Sequence, residues 1–253
     1  YLGTMVIVVS LLTNNADTGI YAAPARIMEV LIVLASVMTT LAIPVLAVAG
    51  AEDRERFRKG LQLLLQGGLA VAVAATLGLI AVAPDLMTLI GGTDFAASGE
   101  VLRIQALALI GVFANQALQF ALVTLRQQRR LILANAVALV MLLVAGVVLV
   151  EARGPVGGAV AVVIGEATLT TMLLIAIARA DRHAMPSARF LIPLAISALA
   201  GCLVLLLPLG GWVDAIASAV VFCLAVYATG AVPRNVLRGL VLRHRGAGDG
   251  EPA

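Results

Sequence analysis

Long apolar runs fill this chain, and every second gap between them is rich in arginine. The runs fall near 24–49, 61–83, 101–125, 131–150, 156–178, 190–207 and 211–232. A bilayer core of about 30 Å needs roughly 20 apolar residues at a helical rise of about 1.5 Å each. The first cationic gap holds Arg54, Arg56, Arg58 and Lys59, and the next holds Arg126, Arg129 and Arg130. Then come Arg179, Arg182 and Arg189, and finally Arg234, Arg238, Arg243 and Arg245 in the tail. The alternate gaps hold Asn14 to Asp17, an 84–100 segment with Asp85, Asp94 and Glu100, a 151–155 turn, and 208–214, with almost no cation. Positively charged loops stay on the cytoplasmic side. The alternation predicts an all-α, multi-pass protein of a cytoplasmic membrane with its C-terminus inside.

The composition agrees, because 12% charged residues is half the usual share for a soluble domain, about 25%. A membrane β-barrel would show short alternating segments instead, and none occur. The first apolar stretch, 1–13, is too short to cross, since 13 helical residues reach only about 20 Å. The expectation is about eight transmembrane helices, the first truncated, in a chain that begins partway through a helix. The net charge of +3 needs no nucleic-acid partner, because topology already accounts for the cations. Cys202 and Cys223 lie inside runs and read as small packing residues.

Helix three is expected to end near Pro84, with 84–100 forming a longer outer segment. Helices five and six make a hairpin at Gly154-Pro155, and helices seven and eight another at 208–211. Pro44 and Pro193 sit inside runs, where each removes a backbone donor and kinks its helix. From Pro233 the tail alternates basic and apolar residues, as an amphipathic helix on an anionic leaflet does. Small residues recur at spacing four (Ala70, Ala74, Gly78; Gly157, Ala161, Gly165), which lets helix backbones approach closely.

Ionisable groups within a bilayer cost roughly 2.5–3.5 kcal/mol each by insertion scales and mark functional candidates. Arg26 and Glu29 share a helix face at i, i+3. They read either as an interfacial ion pair or as a cationic patch for phosphate, whose oxygens match the guanidinium fork. Glu166 falls mid-span with Thr170 one turn on, either as a cation-responsive carboxylate or as a buried acid bonded to a neighbouring helix. Asn115, Gln116 and Gln119 form an amide stripe that bonds between helices or lines a wet cavity, and Asn135 reads the same way. Arg103 and Glu100 read as an interfacial ion pair. His183 and His244 lack metal-ligand spacing to cysteines or acids. No phosphate loop, dinucleotide fingerprint or nucleophile elbow is present, so no catalytic residue, metal or cofactor is assigned.

Two segments together resemble a known family. The stretch Ala16-Asp17-Thr18-Gly19-Ile20-Tyr21-Ala22-Ala23-Pro24-Ala25-Arg26-Ile27, followed by Glu29 and Ile43-Pro44-Val45-Leu46-Ala47, is similar to the D-x-G-x-Y-x-x-A-x-R-I…P-x-L-A region of bacterial polysaccharide-biosynthesis flippases. These belong to the multidrug/oligosaccharidyl-lipid/polysaccharide exporter superfamily. Ala83-Pro84-Asp85-Leu86, Gly91 to Phe95 and Val101-Leu102-Arg103-Ile104 look like the outer segment of that family. Gly157 to Ala161 with Gly165-Glu166 resembles the G-x-x-G-A-A-x-A-x-x-x-x-E helix of the same family. The match covers roughly 1–180; the last two helices carry no matching motif.

The resemblance implies the C-terminal lobe of a two-lobed transporter, with 1–180 as the lobe, 181–232 as two additional helices and 233–253 as a cytoplasmic tail. The implied cargo is a polyprenyl-diphosphate-linked oligosaccharide, moved by alternating access for exopolysaccharide, O-antigen or capsule assembly. The implied partners are that lipid, the bilayer and a missing N-terminal lobe, with Na⁺ or H⁺ as coupling ion. The substrate-binding candidates are Arg26, Glu29, Asn115 and Gln119; the coupling candidates are Glu166 and Thr170. Competing readings are a multidrug/cation antiporter or a peptidoglycan-precursor flippase of the same superfamily, a membrane-embedded enzyme of polysaccharide assembly, and a non-transporting scaffold.

Overall fold

The computed structural model describes residues 1–52, 54–181, 185–207 and 210–231, with the backbone alone at 38, 39, 41–52 and 54. Among the described residues there is no strand. The α-helices run α1 Leu2–Leu12, α2 Asn15–Glu52, α3 Arg54–Gly91, α4 Ser98–Thr124, α5 Gln128–Ala180, α6 Leu191–Val204 and α7 Gly211–Thr229. Five of them are long and apolar enough to cross a membrane. This is a multi-pass membrane protein. The predicted tail helix, His183 and His244 lie outside the described residues.

At 53 residues, α5 would be about 80 Å long if straight. It is instead a hairpin. Gly154 adopts φ 57°, ψ −137°, a conformation open to glycine and strained for other residues, and Pro155 starts the return. The two arms run antiparallel: Arg130 Nη1 donates to the Ala176 carbonyl at 3.3 Å. A Cβ at Gly165 would lie 3.0 Å from Leu142, and one at Gly157 would overlap the Leu149 carbonyl. The predicted row Gly157, Ala161, Gly165 is thus the seam of the hairpin. The other predicted row does not act alike, since a Cβ at Gly78 would meet nothing within 4 Å.

Three expected boundaries are corrected. Helix α2 starts at Asn15 rather than near 24, because Asn14 caps it: Asn14 Oδ1 accepts the Asp17 backbone N–H at 2.9 Å. Helix α3 does not stop at Pro84 but continues to Gly91, and α4 starts at Ser98 after a short 3₁₀ turn, Thr93–Phe95. Proline at 84 removes the N–H that would bond the Ile80 carbonyl. Arg103 of α4 supplies the substitute, its Nε donating to Ile80 O at 3.0 Å. Its partner is therefore this carbonyl and not Glu100. Gly99 allows the approach, since a Cβ there would lie 2.9 Å from Pro84 Cα. Pro193 needs no kink, because it falls in the first turn of α6, where its missing N–H has no intrahelical partner to lose.

Helix α4 is the axis of the bundle: 61% of its apolar window is buried, against 17% for α7. Tyr21 and Met28 of α2, Leu61 and Leu65 of α3, and Leu142 and Leu173 of α5 pack around it in two buried clusters. The short α1 lies on α5, with Met5 and Val8 against Gly146. Helices α6 and α7 dock on α3, where Gly201 meets Leu77 and Ser218 Oγ donates to the Gly201 carbonyl at 2.9 Å. Cys202 and Cys223 face outward from these two helices, so they are not the packing residues expected.

Candidate functional site

The site forms where α4 crosses the second arm of α5. Gly111 makes the crossing close: a Cβ there would lie 2.8 Å from Glu166 Cβ. One turn further along α4, Asn115 reaches the carboxyl group. Asn115 Nδ2 donates to Glu166 Oε2 at 2.7 Å and approaches the Glu166 carbonyl at 3.2 Å. Thr170 Oγ1 lies 2.8 Å from Asn115 Oδ1 and 2.9 Å from the Glu166 carbonyl. Glu166 and Asn115 are both buried, at 8% and 2% exposure. Glu166 stands about midway between Gly154 and Ala180, so the group lies near the centre of the span. No lysine or arginine pairs with Glu166 among the described residues.

Two cavities meet at this point. One, of about 290 Å³, is lined by the Asn115, Gln116, Gln119 and Asn135 amides, with Tyr1, Met28 and Ile32 opposite. The other is an apolar groove of about 500 Å³ between α3, α4, α5 and α6, walled by Leu65, Leu69, Leu118 and Leu174. Glu166 and Ala108 line both. Glu166 therefore stands on the partition between an amide-lined chamber and an apolar one.

The amide stripe does both things its residue types allow. Asn115 bonds across helices. Gln116 Nε2 donates to Ser36 Oγ at 2.8 Å and ties α4 to α2. Gln119 faces the chamber without a hydrogen-bond partner among the described residues. Asn135 bonds within its own helix, Nδ2 to the Leu131 carbonyl at 3.0 Å, and receives the Tyr1 hydroxyl at 3.4 Å.

Arg26 and Glu29 are elsewhere. They form an ion pair at 2.9 Å, with side chains 81% and 45% exposed, on the outer face of α2. Met28 and Ile32, about a third of a turn round the helix from the pair, line the amide chamber. The structure thus groups Asn115, Gln119, Glu166 and Thr170 and leaves Arg26 and Glu29 apart. Sequence reasoning missed Gly111 and Ser36. Gly111 carries a faint signal, a small residue four positions before a buried amide; Ser36 carries none. Among the described residues no group of three or more His, Cys, Asp or Glu could hold a metal ion. No protein-family model matches the chain, and no curated protein matches it in sequence.

Proposed function

We propose that this chain is the C-terminal lobe of a bacterial flippase for polyprenyl-diphosphate-linked oligosaccharides, with eight membrane helices and its arginine-bearing end in the cytoplasm. The observation that carries the reading is Glu166 on the partition between a polar and an apolar chamber at mid-membrane. A lipid-linked sugar is itself part polar and part apolar, and alternating access needs a group at membrane depth that responds to an ion. A carboxyl group inside a bilayer is a functional candidate by default, because its cost is offset only where it is used or well paired. The order of the family-like motifs supports the same reading. In it, Arg26 meets the diphosphate from the exposed α2 face that the other lobe covers, and Glu29 holds the guanidinium until cargo arrives.

The test is deletion of the full-length gene in its host, followed by extraction of membrane lipids. Accumulation of a polyprenyl-diphosphate oligosaccharide with loss of surface polymer is expected. Complementation with Arg26→Gln should restore less than a tenth of the polymer at normal protein level, since an exposed ion pair contributes only about 0–1 kcal/mol to stability. Normal lipids and polymer with new drug sensitivity would replace this reading with the antiporter. No change in lipids, polymer or drug tolerance would refute both.

A further inference from the structure

Glu166 Oε2, the Asn115 amide and the Thr170 hydroxyl are placed so that each has a partner in either of two charge states. A hydroxyl carries one hydrogen, so Thr170 donates to the Asn115 Oδ1 or to the Glu166 carbonyl, 2.8 and 2.9 Å away, but not to both. With Glu166 ionised, the Asn115 amide turns its NH₂ to the carboxylate and its carbonyl takes the Thr170 hydrogen. A protonated Glu166 has an O–H that needs an acceptor. Half a turn of the Asn115 amide supplies one. Oδ1 then faces Glu166, Nδ2 faces Thr170 Oγ1 as donor, and the Thr170 hydrogen moves to the Glu166 carbonyl.

We propose that Asn115 is a positioning residue whose amide reversal, with Thr170 as its counterpart, lets Glu166 take up and release a proton at mid-membrane. H⁺ is then the ion this site carries. The proposal rests on the coupling role given to Glu166 above and names its ion. The step is balanced: an O–H bond of a hydronium ion reaching the amide-lined chamber breaks, one O–H bond forms at Glu166 Oε2 and water is left, and the reverse step returns the proton to water. A bare metal cation needs several oxygens to replace its hydration shell. Here the carboxylate instead faces an NH₂ donor at 2.7 Å. Besides Glu166, the titratable group facing this site among the described residues is the phenol of Tyr1 on α1. Among the described residues, helices α2, α3, α4 and α6 and the first arm of α5 present no titratable residue to either chamber.

The experiment is infrared difference spectroscopy of the full-length protein in liposomes, with asparagine isotope-labelled. One series steps the pH at constant Na⁺, and a second exchanges Na⁺ for K⁺ at constant pH. The pH step should raise a protonated-carboxyl band together with a shift of the labelled amide band, and the Na⁺ exchange should do neither. Glu166→Gln should lose both signals. Asn115→Leu should lose the amide shift and show its carboxyl band at a different pH, because Glu166 Oε2 then has no amide partner in either charge state; a band unmoved by this change would overturn the proposal. Thr170→Ser, the mildest change, should keep both, which guards against a failure to fold of the larger substitutions. A carboxyl change driven by Na⁺ at constant pH would overturn the proposal, as would a carboxyl band in the unaltered protein with no amide shift, or no band at all. No transported substrate enters this measurement. Its failure therefore leaves the flippase reading standing, and a normal lipid profile in the deletion strain would leave the proton site standing.

Discussion

Alanine at position 111 should damage the site without touching any of its polar atoms. A Cβ there would lie 2.8 Å from Glu166 Cβ, and 3.5 and 3.7 Å from the Glu166 backbone C and Cα. Carbon atoms sit best about 3.5–4.0 Å apart, so the shortfall is about 0.7–1.2 Å. Glu166 Cβ is fixed to its helix and cannot swing aside, so α4 and α5 must separate. If the seam opens by that amount, the 2.7 Å bond from Asn115 to Glu166 stretches to roughly 3.4–3.9 Å, beyond a useful hydrogen bond. Overpacking costs about 1–3 kcal/mol. An interhelical hydrogen bond in a membrane adds about 0.6–1.7 kcal/mol. Gly111→Ala should therefore destabilise by about 2–4 kcal/mol, read by detergent unfolding with circular dichroism in mixed micelles. Gly78→Ala is the control, because its Cβ would meet nothing within 4 Å; it should be neutral or stabilising by up to about 1 kcal/mol. Asn115→Leu should cost less in the Gly111→Ala background than alone, since the same bond is already broken. Equal stability of the two alanine variants, with Asn115→Leu additive to Gly111→Ala, would refute the reasoning.

Two further outcomes follow from the backbone. Arg103→Met should destabilise by about 1 kcal/mol, because it strips the Ile80 carbonyl of its donor. In a Pro84→Ala background, where an N–H returns to that carbonyl, the same change should cost almost nothing, and a double-mutant cycle in micelles checks the difference. Gly154→Ala should cost about 1–3 kcal/mol from the φ 57°, ψ −137° geometry alone. Cross-linking of cysteines placed at 142 and 165 would show whether the two arms of α5 still meet.

The placement of this chain in a membrane was legible because hydropathy belongs to each segment by itself. A run of twenty apolar residues favours the bilayer whatever surrounds it, and the arginine alternation orders the runs. The hairpin at Gly154-Pro155 was legible for the same local reason, as was the close-packing row Gly157, Ala161, Gly165. The rest depended on helices meeting. Pro84 reads as a helix end until Arg103, on the next helix, takes the carbonyl it frees. Asn115 and Glu166 are separate oddities in the sequence, and they become one network only because Gly111 lets two backbones touch. Arg26 and Glu29 show the converse: their spacing put them on one face, as an ion pair or as a phosphate patch, but which way that face of α2 turns was fixed by what the rest of the helix buries. Local energies summed along the chain determine which segments span; contacts between helices, made close at glycines such as Gly111, decide which polar residues share a site.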